Sequence, residues 1–176
     1  DRKIHYENKD KSSYKFNINK KNVYKSLTSF SIQKPRIRNY VHEWIFHKMA
    51  KEIDLISLEY NFVKFNINGE NKGLFIIEEG FSNTMLEKNK RRAGPIFGLN
   101  EDFEMSNFSE AKFDPYQLKY WLKPENQDLY LIAKDKLSSL QNRKFELNKV
   151  IDLKKWSDYF VLCDLLFTHH GLLPKS

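Results

Sequence analysis

One dipeptide constrains this chain more than any other. Phe62-Val-Lys-Phe-Asn-Ile67 alternates apolar and polar side chains, Asn68-Gly69 follows, and a second β-like run, Leu74-Phe-Ile-Ile77, lies just beyond Gly73. A two-residue turn that matches the twist of its strands needs two left-handed residues, and Asn-Gly supplies them at least cost. The spacing therefore predicts an antiparallel hairpin. An isolated hairpin is marginal in water, so further strands or a helix must cover it.

The N-terminal region provides both. Tyr14–Asn19 and Ser26–Gln33 alternate in the same period-two manner, with a turn-like Lys20-Lys21-Asn22 between them. Pro35 ends the second run. A helix pattern follows, with Ile37, Val41, Trp44, Ile45, Met49 and Ile53 on one stripe and Glu43 at its border. Glu78-Glu79-Gly80 closes the hairpin. Thr84-x-x-Glu87 has the form of a capping box and predicts a short helix over 84–91. Residues 98–115 are acidic and irregular and read as a connector. Beyond Pro124 a helix is expected over 125–141, with Leu129, Ile132, Ala133, Leu137 and Leu140 inward. Another is expected near 153–168, capped by Asp152, with Trp156, Phe160, Cys163 and Phe167 inward. Strands gathered early and helices gathered late predict an α+β chain: a β-rich region over 1–97, a connector over 98–124 and a helical region over 125–176.

Composition narrows the function classes. The chain has 176 residues, 40% of them apolar and 15% aromatic, which is enough to bury a core despite 30% charge. Its net charge of +7 favours anionic partners: nucleotides, nucleic acid or an acidic surface. A nucleic-acid reading rests on that charge and on Lys88-Asn-Lys-Arg-Arg92, but the aromatics fall at core-like periods, so it is the weakest reading. The single cysteine, Cys163, forms no disulfide within the chain, and cytoplasmic and exported locations both stay open. No run has the apolar length to span a membrane. Neither a Gly-x-Gly-x-x-Gly loop nor a P-loop is present. His169 and His170 are adjacent, and His42 and His47 are five apart, so neither pair has the spacing of a metal site, and no metal ligand is assigned.

Four segments in order carry a family likeness: Phe30-Ser-Ile-Gln33, Arg38-Asn-Tyr-Val-His-Glu43-Trp, Phe62-Val-Lys-Phe-Asn-Ile-Asn-Gly69 and Gly73-Leu-Phe-Ile-Ile-Glu-Glu79. Together they resemble the CotH (spore coat protein H) family of bacterial kinase-like proteins, and Trp156–Gly171 is similar to the family helix that leads toward its catalytic loop. The resemblance implies an atypical protein kinase fold of two lobes, the first β-rich with one main helix, the second helical. It implies a nucleotide held between the lobes and phosphate transfer from ATP, with magnesium, to serine on a protein partner such as a spore coat protein. A structural or interaction module without chemistry is the alternative.

Phosphoryl transfer needs a lysine on the phosphates, a helical glutamate to orient it, and acidic residues for magnesium. Glu43 is the candidate helical glutamate. Lys15 is the first candidate lysine, because strand alternation sets it opposite Phe16 and Ile18, and Lys25 is the second. Arg38, near a helix start, suits phosphate oxygens. Glu78 and Glu79 lie where the hairpin leads toward the second lobe, near the expected adenine. The family's catalytic-loop aspartate and later asparagine align on or near His170 and Lys175, and its metal strand is expected beyond Ser176. The chain therefore reads as an incomplete domain, with the magnesium ligands expected outside it and the fragment inactive by itself.

Overall fold

The computed structural model describes residues 13–18, 24–99 and 113–168. The chain is α+β and divides into two compact units, Asp1–Asn89 and Lys90–Ser176.

The first unit is built on a four-stranded antiparallel sheet. Its strands are β1 (Ser13–Asn17), β2 (Ser29–Gln33), β3 (Tyr60–Ile67) and β4 (Glu70–Glu79), in the order β1-β2-β4-β3. The hairpin forms where the Asn-Gly step predicts it: Asn68 and Gly69 sit at φ +51° and +82°. Gly73, at φ +92°, marks a bulge where the register slips after Phe65.

Residues directly opposite across antiparallel strands share a face, and successive residues alternate. One face is therefore apolar. It buries Phe30, Ile32, Phe75 and Ile77, with Leu27, and packs Tyr14, Phe16, Val63 and Phe65 against them. Aromatic contacts run through it, Phe16 on Phe30 at 5.2 Å and Phe65 on Phe75 at 5.0 Å between ring centres. The other face is mixed: Lys15, Ser31, Gln33, Ile76, Glu78 and Tyr60.

Helix α1 (His42–Glu52) is tied to this mixed face. The stripe expected from Ile37 to Ile53 is broken by geometry. Pro35–Arg38 is a separate 3-10 turn, and Asn39 and Tyr40, both left-handed, redirect the chain before α1 starts. Val41 and Ile53 are exposed as a result, while Ala50 is the buried contact of the helix. Helix α2 (Asn83–Lys88) is capped by Ser82, whose Oγ accepts from Met85 N at 3.1 Å, rather than by Thr84. Asn89 then binds Ser57 both ways: its Oδ1 accepts from Ser57 N (2.8 Å) and its Nδ2 donates to Ser57 O (2.9 Å).

In the second unit, β5 (Phe97–Leu99) pairs antiparallel with β6 (Phe113–Pro115), so the ends of the expected connector are strands. Helices α3 (Leu118–Trp121), α4 (Pro124–Gln141), α5 (Leu147–Val150) and α6 (Leu153–Leu165) follow. The α4 core contacts are Tyr130 and Ser139, and Leu129 and Ile132 are exposed, contrary to the apolar stripe. Asp152 caps α6 as expected, its Oδ1 accepting from Lys155 N at 3.1 Å. Leu162 and Cys163 are its buried residues; Trp156, Phe160 and Phe167, expected inward, are exposed. Among the described residues no helix is long and apolar enough to cross a membrane.

Candidate functional site

The mixed face of the sheet gathers most of the residues expected to carry chemistry. Strand register places Lys15 opposite Ser31, Ser31 opposite Glu78, and Glu78 opposite Tyr60. These four form one row across all four strands, on the side where α1 supplies Glu43. With strands about 4.8 Å apart, Lys15 and Glu78 start roughly 10 Å from each other. Lys15 is exposed and has no ion-pair partner among the described residues.

Arg38 is the hub. Its Nη1 donates to Glu43 Oε1 at 3.2 Å, its Nη2 to Glu78 Oε2 at 3.5 Å, and its Nε to Gln33 Oε1 at 3.2 Å. Gln33 returns the contact by donating from Nε2 to Glu78 Oε2, and Ser31 Oγ donates to the same oxygen at 3.4 Å. Two carboxylates thus hold the Arg38 cation, which stands at the end of the 3-10 turn and not in the first turn of α1. Two carboxylates against one guanidinium leave the cluster one negative charge in excess.

The electrostatics follow from burial. Desolvation raises the Glu43 carboxyl above its usual value; Arg38 opposes that shift, and the Glu78 charge adds to it. The Tyr60 ring is buried, and its hydroxyl lies beside the Glu43 carboxylate without closing a hydrogen bond of good geometry. Burial and the two carboxylates hold its proton far above the usual tyrosine range. Burial pushes the His47 imidazole down to about 4, and the Arg38 charge adds to the shift. His47 Nδ1 accepts from Leu58 N at 3.3 Å, which fixes the neutral ring as the Nε2–H tautomer.

No family model, curated protein or solved structure matches the chain.

The remaining candidates lie elsewhere. Glu79 points to the apolar face, opposite to Glu78, and is buried. Its Oε1 accepts from Lys88 Nζ at 2.8 Å and its Oε2 from Glu59 N at 3.1 Å, so it anchors α2 and the start of β3. Lys25 sits in the turn before β2, beside a cleft on the apolar face. The sheet thus divides the candidates, with Lys15, Arg38, Glu43 and Glu78 on one side and Lys25 and Glu79 on the other. His170, like Lys175, lies outside the described residues. No group of three or more His, Cys, Asp or Glu is placed to hold a metal among the described residues. Gln33, Ser31 and Tyr60 complete the cluster and were not singled out from sequence. The signal that finds them is cross-strand register, which periodicity alone does not supply.

Proposed function

We propose that this chain is part of a kinase-like domain of CotH type, which in its complete form transfers phosphate from magnesium-bound ATP to serine on a protein partner. The observation that supports this reading is the shared face. A half-buried helical glutamate, Glu43, and a strand lysine, Lys15, with no ion-pair partner among the described residues, lie on one side of an antiparallel sheet; Glu43 is tied there by Arg38 and Glu78. A phosphoryl-transfer lobe uses such a pair to hold and orient phosphates. On this reading Lys15 meets the phosphates and Glu43 orients it, while Arg38 adds a second cation. Magnesium would neutralise the phosphate charge; the adenine would lie toward the Glu78 end of β4. The two-lobe arrangement belongs to the same proposal.

The competing reading, an inactive interaction module, draws on one specific observation. Arg38 is already neutralised by two carboxylates, which repel a polyphosphate until a cation offsets them.

Calorimetric titration of the chain with Mg·ATP separates the two. The kinase-like reading expects saturable binding that weakens about tenfold or more in Lys15→Met and in Glu43→Gln, since a charge-assisted contact is lost in each. It also expects transfer of the γ-phosphate to serine by the complete domain. Binding unchanged when Lys15→Met and Glu43→Gln are combined, or no γ-phosphate transfer by the complete domain, would refute the assignment and leave the interaction module.

A further inference from the structure

We propose that the cleft on the apolar face of the sheet is a second binding site, for a small phosphate-bearing anion, separate from the Lys15–Glu43 face. The cleft measures about 180 Å³. Pockets that take drug-sized ligands run from about 300 Å³ upward, so a nucleotide is too large for it. Leu27, Phe62, Val63 and Ile77 contribute apolar lining. Lys25, Ser26 and Asn61 bring an ammonium, a hydroxyl and an amide. An ammonium and a hydroxyl from one turn suit an oxyanion, and the Asn61 amide, whose Nδ2 also donates to Glu59 at 3.4 Å, adds a further N–H.

Charge accounting agrees. Lys88 also lines the cleft, but Glu79 neutralises it at 2.8 Å. Glu59 lines it too, and is held by Lys51 at 3.9 Å and by Asn61 Nδ2 at 3.4 Å. Lys25 is left without a carboxylate partner among the described residues, its ammonium 5.7 Å from the Tyr24 ring centre. The cleft therefore carries one uncompensated positive charge.

The backbone adds an independent argument. Tyr24 and Leu27 bridge antiparallel, Leu27 N donates to Tyr24 O at 2.8 Å, and the two residues between them, Lys25 and Ser26, sit at φ +47° and +64°. This is the doubly left-handed turn for which Asn-Gly is the low-energy sequence, and the same chain uses Asn-Gly for it at 68–69. Strain of this kind collects at ligand clamps, where the side chains matter more than the turn. Here the strained pair is the pair that brings an ammonium and a hydroxyl to the cleft.

The test is a titration of the 176-residue chain, followed by amide NMR, with inorganic phosphate, glycerol 3-phosphate and succinate. Saturable shifts at Lys25, Ser26 and Asn61 with the two phosphates, and none with succinate, are expected. Tighter binding of glycerol 3-phosphate identifies a phosphomonoester that uses the apolar lining; equal binding identifies inorganic phosphate. Lys25→Met should lose affinity about tenfold or more, while Mg·ATP binding at the Lys15 face stays unchanged. Lys25→Asn/Ser26→Gly should melt at higher temperature and still lose phosphate. No saturable shift, an equal response to succinate, or full binding by Lys25→Met would overturn the proposal. The phosphate and succinate results do not bear on the kinase-like reading, which stands or falls on Lys15 and Glu43.

Discussion

His47 makes the stability of the first unit sensitive to acid in a way that can be worked from its surroundings. The imidazole lies against Tyr60, with ring centres 5.3 Å apart, and its Nδ1 accepts from Leu58 N. Protonation would turn that acceptor into a donor facing a donor, in a desolvated place near the Arg38 guanidinium. The pKa accordingly falls from 6.5 to about 4. The folded state binds this proton more weakly than the unfolded chain, so the stability His47 contributes is full above pH 6.5. It is lost as the pH falls toward 4. At 1.36 kcal/mol per pKa unit, a drop of this size corresponds to about 3 kcal/mol. Glu43 runs the other way: its raised pKa means that its protonation on acidification adds stability. A comparison with His47→Asn cancels that contribution, because Glu43 is present in both proteins. The asparagine Oδ1 also keeps an acceptor for Leu58 N while removing the titration. Urea unfolding between pH 7 and 4 is the assay. Wild type should lose about 3 kcal/mol more than His47→Asn across that range. Parallel pH profiles would refute the argument that burial holds His47 neutral.

Three further outcomes rest on other parts of the fold. Lys88→Met leaves the Glu79 carboxylate buried without its cation and should destabilise the chain by about 3 kcal/mol in urea unfolding; Glu79→Gln should cost less. Gly69→Ala meets no steric contact but forces a side chain to φ +82°, so it should lower stability by about 1 kcal/mol. Arg38→Gln removes the ionic link between α1 and the sheet and leaves Glu43 and Glu78 without a shared cation. A loss of about 2 kcal/mol, with a raised Glu43 pKa by carbon NMR, is expected, and an unchanged pKa would contradict the role of Arg38 as hub.

The sheet was legible in the sequence because its signals are local. Period-two alternation and the Asn-Gly step found β1 through β4 to within a few residues, and Asp152 found the start of α6. The helices were harder to orient. Apolar stripes on α4 and α6 implied that Leu129, Ile132, Trp156 and Phe160 face inward, yet all four are exposed. Periodicity identifies an apolar side but not whether anything covers it, and both helices are apolar on more than one side. The break at Asn39–Tyr40 was hidden as well: asparagine tolerates the left-handed region, but Tyr40 beside it carries no turn signal.

The candidate site shows where sequence reasoning stops and register begins. Glu78 and Glu79 are neighbours and looked interchangeable as residues at a strand end. Pleating separates them completely: one joins Arg38 and Glu43 beneath α1, and the other locks Lys88 on the opposite face. The same rule separates Lys15 from Lys25. Lys15 reaches the Glu78 row because its register partner Ser31 does, whereas Lys25 stands in a strained turn beside the other face. A one-residue slip of β1 against β2 would move Lys15 to the apolar face and bring Phe16 into the polar row. Burial of Phe30, with Phe16 stacked on it, opposes that slip. The apolar core on one face therefore fixes that Lys15, and not Lys25, stands on the face that α1 covers.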